Sequence, residues 1–155
     1  MSVLGEVKRF QHKYLFLVEI GDFDRAEFKS CSELSAEIAK IEHWEGGSLI
    51  PYKEPGRITF TDVTLEAGVT ISRELYDWFK EVADAVADSG YIVPEFKKDV
   101  DIVQLDRDRS RIRIWTLLNA WPTKFVAGEW NNEEDGVVIE SVTLTYDIFR
   151  RPEDA

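Results

Sequence analysis

This chain has a single cysteine, which excludes an internal disulfide and any metal site built from several thiolates. Cys31 therefore reads as a small buried hydrophobe rather than a reactive thiol. Histidine is nearly as scarce. His12 and His43 are the whole complement, and neither has a second histidine or a cysteine at ligand spacing. No Gly-x-Ser-x-Gly elbow, phosphate-cradling glycine loop or dinucleotide fingerprint occurs. No apolar run approaches the roughly 20 residues that cross a bilayer. Residues 1–6 lack the basic-then-apolar layout of a secretion signal, so synthesis and folding in the cytoplasm are expected.

Basic charge is also in short supply. Nineteen Lys and Arg face 30 Asp and Glu, a formal net charge of −11. Such a surface repels nucleic acid and anionic membranes, and suits a wall past which DNA or acidic cargo slides without sticking. The basic residues that exist gather locally, at Arg107, Arg109, Arg111 and Arg113.

The acidic residues offer little chemistry. Asp106-x-Asp108-x-Ser110 begins like a calcium loop, but Arg111 stands where a glycine belongs and Leu117 where the closing glutamate belongs. It reads as a charged hairpin turn. Asp99 and Asp101 would share one face of a strand and could pair as general acid and base, but a solvated strand edge explains them more simply. Among the five tryptophans, Trp78 and Trp121 read as core. Trp44 and Trp130, near turns, read as interface residues, while the five tryptophans taken together would suit a sugar-binding platform. No catalytic, cofactor or metal residues are expected, and the chain is not read as an enzyme.

What is present is alternation. Residues 14–20 read as a strand. Residues 28–45 read as one long strand or two in series, with Leu34, Ala36 and Ile38 on one face and a one-residue slip before Ile41 and His43. Residues 48–56 read as a loop holding Pro51, Pro55 and Gly56, and residues 57–66 as a strand with a second slip before Val63. Ser72 suits a helix N-cap and Gly90 a helix end. Between them Leu75, Phe79, Val82 and Val86 form one apolar stripe, which predicts a helix over about 72–89. Residues 100–105, 106–110 and 111–118 read as strand, turn and strand. Asp135-Gly136 reads as a hairpin turn before a strand over 137–149. The expectation is one domain over residues 1–155, mainly β, as a small antiparallel barrel or sandwich with one flanking helix.

Several short words lie along this frame in a fixed order. They are Phe28–Leu34, Glu42-His43-Trp44-Glu45-Gly46-Gly47, Pro55-Gly56, Val63-Thr64-Leu65 with Gly68-Val69, Glu74-Leu75-Tyr76-Asp77-Trp78, Asn119-Ala120-Trp121-Pro122-Thr123-Lys124 and Glu140–Leu144. The ordered set resembles the tail tube proteins of contractile phage tails and extracellular contractile injection systems, over nearly the whole chain. Two departures from that family's usual pattern are visible. Glu33 stands where a glycine is common, and His43-Trp44 replaces a Tyr-Arg pair.

The resemblance implies a structural subunit, made in the bacterial cytoplasm, that forms hexameric rings. The rings stack into a hollow tube inside a contractile sheath. Its expected partners are further copies of itself, the sheath protein, and baseplate and tube-terminator proteins. DNA or protein cargo would occupy the lumen without specific binding, and no cofactor or membrane segment is implied. A tube-end or initiator subunit is one alternative; a carbohydrate-binding β-sandwich module is another.

Three surfaces are expected on this reading. With the apolar stripes turned to the subunit core, Ser35, Glu37, Lys40, Glu42, Thr59, Thr61, Asp62, Thr64 and Glu66 would line the lumen. The loop bearing Gly46, Gly47, Ser48, Pro51, Lys53, Pro55 and Gly56 would reach a neighbouring ring. Asp77, Glu81, Asp84 and Asp88 on the helix would face the sheath.

Overall fold

Strands form here wherever apolar and polar residues alternate, because successive side chains of an extended chain point to opposite faces. The computed structural model describes residues 15–21, 28–67, 73–89 and 96–152. Among them lie β1 (Phe16–Ile20), β2 (Ser30–Cys31), β3 (Ala36–His43), β4 (Tyr52–Phe60), β5 (Val63–Ala67), α1 (Arg73–Ser89), β6 (Lys98–Leu105), β7 (Arg111–Val126), β8 (Glu140–Thr145) and β9 (Ile148–Arg150). One sheet runs β1-β6-β7-β8-β5-β2, with β9 also paired to β7, while β3 and β4 form a separate two-stranded ribbon. Every pairing is antiparallel. The fold is mainly β with one flanking helix, as the alternation predicts. Among the described residues its sheet is open rather than closed, since β1 and β2 end the path without pairing to each other.

The long strand β7 turns this sheet into a sandwich. Its first half pairs with β6 and β9, and its second half pairs with β8. The change occurs at Asn119, which holds a left-handed φ of 54° and sits where the register against β6 shifts. Asn is one of the few residues that tolerates this conformation. Its amide N–H donates to Asp99 Oδ1 at 3.2 Å, and its Nδ2 donates to Asp147 Oδ2 at 2.9 Å. Asp147 lies between β8 and β9, so both strand paths change arms at one hydrogen-bonded corner.

The alternation predicts a strand ending at Leu118 and a single strand over 137–149. In the structure, β7 continues through Trp121 and Pro122 to Val126. Pro122 has no N–H to give, and the register shifts directly after it, which is how a proline is accommodated inside a sheet. The later strand begins only at Glu140 and breaks at Asp147. That break leaves Ile148 exposed and turns Phe149 inward. The turn expected at Asp135-Gly136 lies instead at 131–134, where Glu134 N–H donates to Asn131 O.

Val18, Ile20, Val100, Ile102 and Leu117 from one arm meet Val63, Leu65, Val142 and Leu144 from the other in one buried cluster. Each such side chain contributes about 1.5–3 kcal/mol by leaving water. Helix α1 lies against β7 and closes this core, with Leu75, Trp78 and Val82 buried and Phe79 half-buried. Val86 is exposed, so the apolar stripe ends a turn earlier than its spacing predicts, and Trp78 takes the central place. The expected caps, Ser72 and Gly90, lie outside the described residues, as do His12 and Gly68-Val69.

Candidate functional site

The β3–β4 ribbon has no core of its own. Its register pairs Ala36 with Phe60 and Ile38 with Ile58, then shifts, pairing Lys40 with Pro55 and His43 with Tyr52. Between Ile38 and Lys40 the β3 strand advances two residues while β4 advances three. The extra residue is therefore on β4, around Gly56-Arg57, and not on β3 as the apolar spacing suggested. Gly56 suits the close approach there, because a Cβ would stand 3.0 Å from Ala39 O and 3.1 Å from Ile41 Cγ1 and the neighbours would have to give by a few tenths of an ångström. Regular alternation along β3 then carries Ile38 and Ile41 to opposite faces.

The ribbon is consequently apolar on both sides. Ile38 is 57% exposed and Ile58 50% exposed, so these stripes are not turned into the subunit core. Phe60, at the base of β4, is the anchor. It packs edge-on against Phe149 and beside Tyr146. Beyond it, the inward side of the sandwich continues past the body with nothing over it among the described residues.

The loop at the ribbon's end is shorter than expected. Lys53, Pro55 and Gly56 belong to β4, and the connection comprises residues 44–51, including Gly46, Gly47, Ser48 and Pro51. Gly47 supplies a φ of 84°, and Ser48 N–H donates to Glu45 O. Leu49, at the tip, is 94% exposed, and Ile50 beside it is also exposed. Two adjacent large apolar residues between a glycine and a proline are a signal legible in the sequence itself, outside the polar and glycine positions expected to carry this loop's contact. His43 bonds Glu54 at 2.7 Å and stacks on Tyr52, so the residue that departs from the Tyr-Arg pattern is engaged within its own ribbon. Glu33, the other departure, has no left-handed φ and so needs no glycine.

The polar residues separate into two groups. Ser35 Oγ and Thr61 Oγ1 are 2.9 Å apart, and Glu37 pairs with Thr59 on that same side of the ribbon. Thr64 bonds Thr143, and Glu66 accepts from Ser30 Oγ, both on the side of β5 away from the core. Lys40 and Glu42 form a 3.6 Å ion pair on the opposite ribbon face. The nine residues expected to line one lumen surface therefore do not share one face. Asp62 lies at the break between β4 and β5, near Tyr146. Burial first, and the Asp62 carboxylate second, push the Tyr146 phenol above its ordinary value.

On the helix, Glu81 and Asp84 are exposed, and Asp77 is paired with Arg73 across one turn. The side chain of Asp88 lies outside the described residues.

A family model, the T4-like virus tail tube protein gp19, matches residues 12–150. The chain belongs to this tail tube family. Solved structures agree with that assignment. A chain of the sheath–tube complex of PVC, an extracellular contractile injection system, in the extended state is 25% identical. It superposes with a TM-score of 0.79, covering 94% of this chain and 93% of that one. A chain of the PVC sheath/tube terminator is 25% identical with a TM-score of 0.80, covering 95% and 99%. A chain of the anti-feeding prophage tube-terminating cap shares the fold, at 24% identity and a TM-score of 0.79, covering 98% and 99%. No curated protein matches the chain. These relatives are structural tube proteins rather than enzymes.

In a tail tube protein the remaining charged groups have structural duties. Asp101 Oδ1 accepts from Thr116 Oγ1 at 2.7 Å, and Asp99 serves the Asn119 corner, so neither is arranged as an acid–base pair. In the calcium-like turn, Asp106 Oδ1 accepts from Arg107 N–H and Asp108 Oδ1 from Ser110 N–H, which aims both carboxylates at the backbone. Among the described residues no group of acidic, His or Cys side chains is placed to hold a metal, and no helix is long and apolar enough to cross a membrane.

Cys31 is half-buried rather than fully buried, and that burial pushes its thiol up to about 11. Only the thiolate alkylates, so iodoacetamide at pH 8 is expected to modify the folded chain about a hundredfold more slowly than the urea-unfolded chain. Equal rates would show that Cys31 is open to solvent.

Proposed function

We propose that this chain, acting as a single domain over residues 1–155, is the inner-tube subunit of a contractile tail or injection particle. Six copies form a ring, and rings stack into a hollow conduit for DNA or protein cargo. The observation that carries this reading is the β3–β4 ribbon, whose exposed Ile38–Ile58 face and open outer edges call for other copies. A long apolar edge strand left bare is an aggregation hazard, and closing strands into a shared barrel removes it. Sheath, baseplate and tube-terminator proteins are the further partners, after the complexes in which its relatives are found. Synthesis in the bacterial cytoplasm precedes assembly into the particle.

Ser35, Glu37, Thr59, Thr61, Thr64 and Glu66 share the side away from the core and line the bore. Lys40 and Glu42 are turned away from it. Ile41 shares that ribbon face, but the lining is mostly polar and net negative, which repels phosphates and limits adhesion of passing nucleic acid. Electron microscopy of the purified protein tests the reading: rings of six and tubes support it, and a protein that stays monomeric at every concentration overturns it. The equal likeness to a terminator chain favours a second reading, a tube-end subunit, which would give single rings and no long tubes.

The outer helix face, with Glu81 and Asp84, meets the sheath through loose electrostatic contact. Glu81→Lys with Asp84→Lys is expected to leave tubes intact and to impair sheath polymerisation around them. Sheath that assembles normally on this variant, at low and physiological salt alike, would place the contact elsewhere.

A further inference from the structure

The connection from β7 to β8, residues 127–139, is far longer than a tight hairpin requires, and it encloses a cleft of about 480 Å³. Gly128 makes the enclosure possible. Its φ is 131°, and a Cβ there would meet Val138 Cγ1 at 2.3 Å, so any other residue would force the walls apart. Glu129 and Glu134 are among the residues lining the cleft, as is the exposed Trp130, whose indole lies near Gly128, and Val137 and Val138 supply apolar surface. Among the described residues no Lys or Arg lines it. A site of carboxylates beside an aromatic face suits a guanidinium, which takes ion pairs at its edge and the ring at its plane.

The matching group stands at the other end of β7. In the turn 106–110, Asp106 and Asp108 are held against backbone amides, and Arg109 takes a φ of 67°. Arg111 is held by Glu19. Arg107 and Arg109 remain exposed. Sixteen residues of strand separate this turn from the cleft, on the order of 30–50 Å even with the bend at Asn119. The two features of one copy therefore cannot meet.

We propose that the cleft receives the Arg107–Arg109 turn of a second copy of this chain. The inference rests on the tube reading and names a contact that joins its subunits. A turn at one end and a cleft at the other make a heterologous, head-to-tail contact, the kind that propagates. It also answers the problem set by the net charge of −11. Copies of so acidic a chain repel one another unless the few available cations lie where copies touch.

Charge exchange tests it. One variant carries Arg107→Glu and Arg109→Glu; the other carries Glu129→Lys and Glu134→Lys. All four residues are exposed, so both variants are expected to keep the circular dichroism spectrum and melting temperature of the parent. Neither alone forms tubes at physiological salt. Mixed in equal amounts they do, because each altered turn meets an altered cleft and each unaltered turn an unaltered one. Trp130→Ala raises the concentration at which tubes appear about tenfold. A second measurement needs no charge reversal: in a Cys31→Ser background, Arg107→Cys with Glu134→Cys gives disulfide-linked ladders on oxidation of assembled tubes.

Normal tubes from either reversed variant, a mixture that stays unassembled, or the absence of ladders overturns the proposal while leaving the tube reading intact. Reversed variants that form tubes but no longer accept sheath assign the cleft to the sheath, and also overturn it. An unmodified chain that forms neither rings nor tubes overturns the tube reading, and this inference with it.

Discussion

Trp78→Ala is expected to lower the stability of the isolated subunit by about 3–5 kcal/mol. The indole is 1% exposed at the centre of the helix–sheet contact, and its Nε1–H donates to Phe96 O at 2.6 Å. Truncation removes the largest fully buried side chain described, leaves a cavity between α1 and the sheet, and strips a buried carbonyl of its donor. Trp78→Phe keeps most of the volume and loses the hydrogen bond, so its cost is smaller, about 1–3 kcal/mol. Phe79→Ala falls below Trp78→Ala, because that ring is only half-buried and leans on Phe125 at the margin of the core. Urea unfolding monitored by circular dichroism reads all three as shifts in midpoint at constant slope. A loss of less than about 1 kcal/mol for Trp78→Ala would mean that the helix does not depend on this anchor.

The second large effect is on assembly rather than on folding. Ile38→Lys combined with Ile58→Glu is expected to abolish rings and tubes while leaving subunit stability within about 0.5 kcal/mol of the parent. The two residues are directly opposed in the ribbon, so the new charges form a compatible cross-strand pair and the ribbon keeps its register. Both side chains are half exposed in the lone subunit, so little native packing is lost when they change. In a tube the same positions would be covered by a neighbour, and burying two charges against its apolar surface costs several kcal/mol per contact. Repeated around a ring, that penalty removes assembly at any accessible concentration. Sedimentation and electron microscopy decide it: tubes of normal length would show that this face stays open in the particle.

The alternating residues of β8, the long amphipathic pattern of α1 and the ordered glycine, proline and tryptophan words were enough to give a mainly β chain with one helix and to point to the tail tube family. These are local signals, written in side-chain period and turn chemistry, and a local rule reads them. Tertiary structure decided the rest. Nothing local says that the β7 strand survives Pro122. It does so because a register shift after the proline and the Asn119–Asp147 corner let the strand leave one arm of the sandwich for the other. Nothing local says which strand of the ribbon carries the extra residue, since a slip on β3 and a bulge on β4 leave the same apolar spacing on β3. The pairing register alone separates them, and it divides the polar residues between two faces. The cleft of residues 127–139 was invisible for a related reason: its walls come from β5, the end of β7 and a loop, segments far apart in sequence that only the folded sheet makes neighbours.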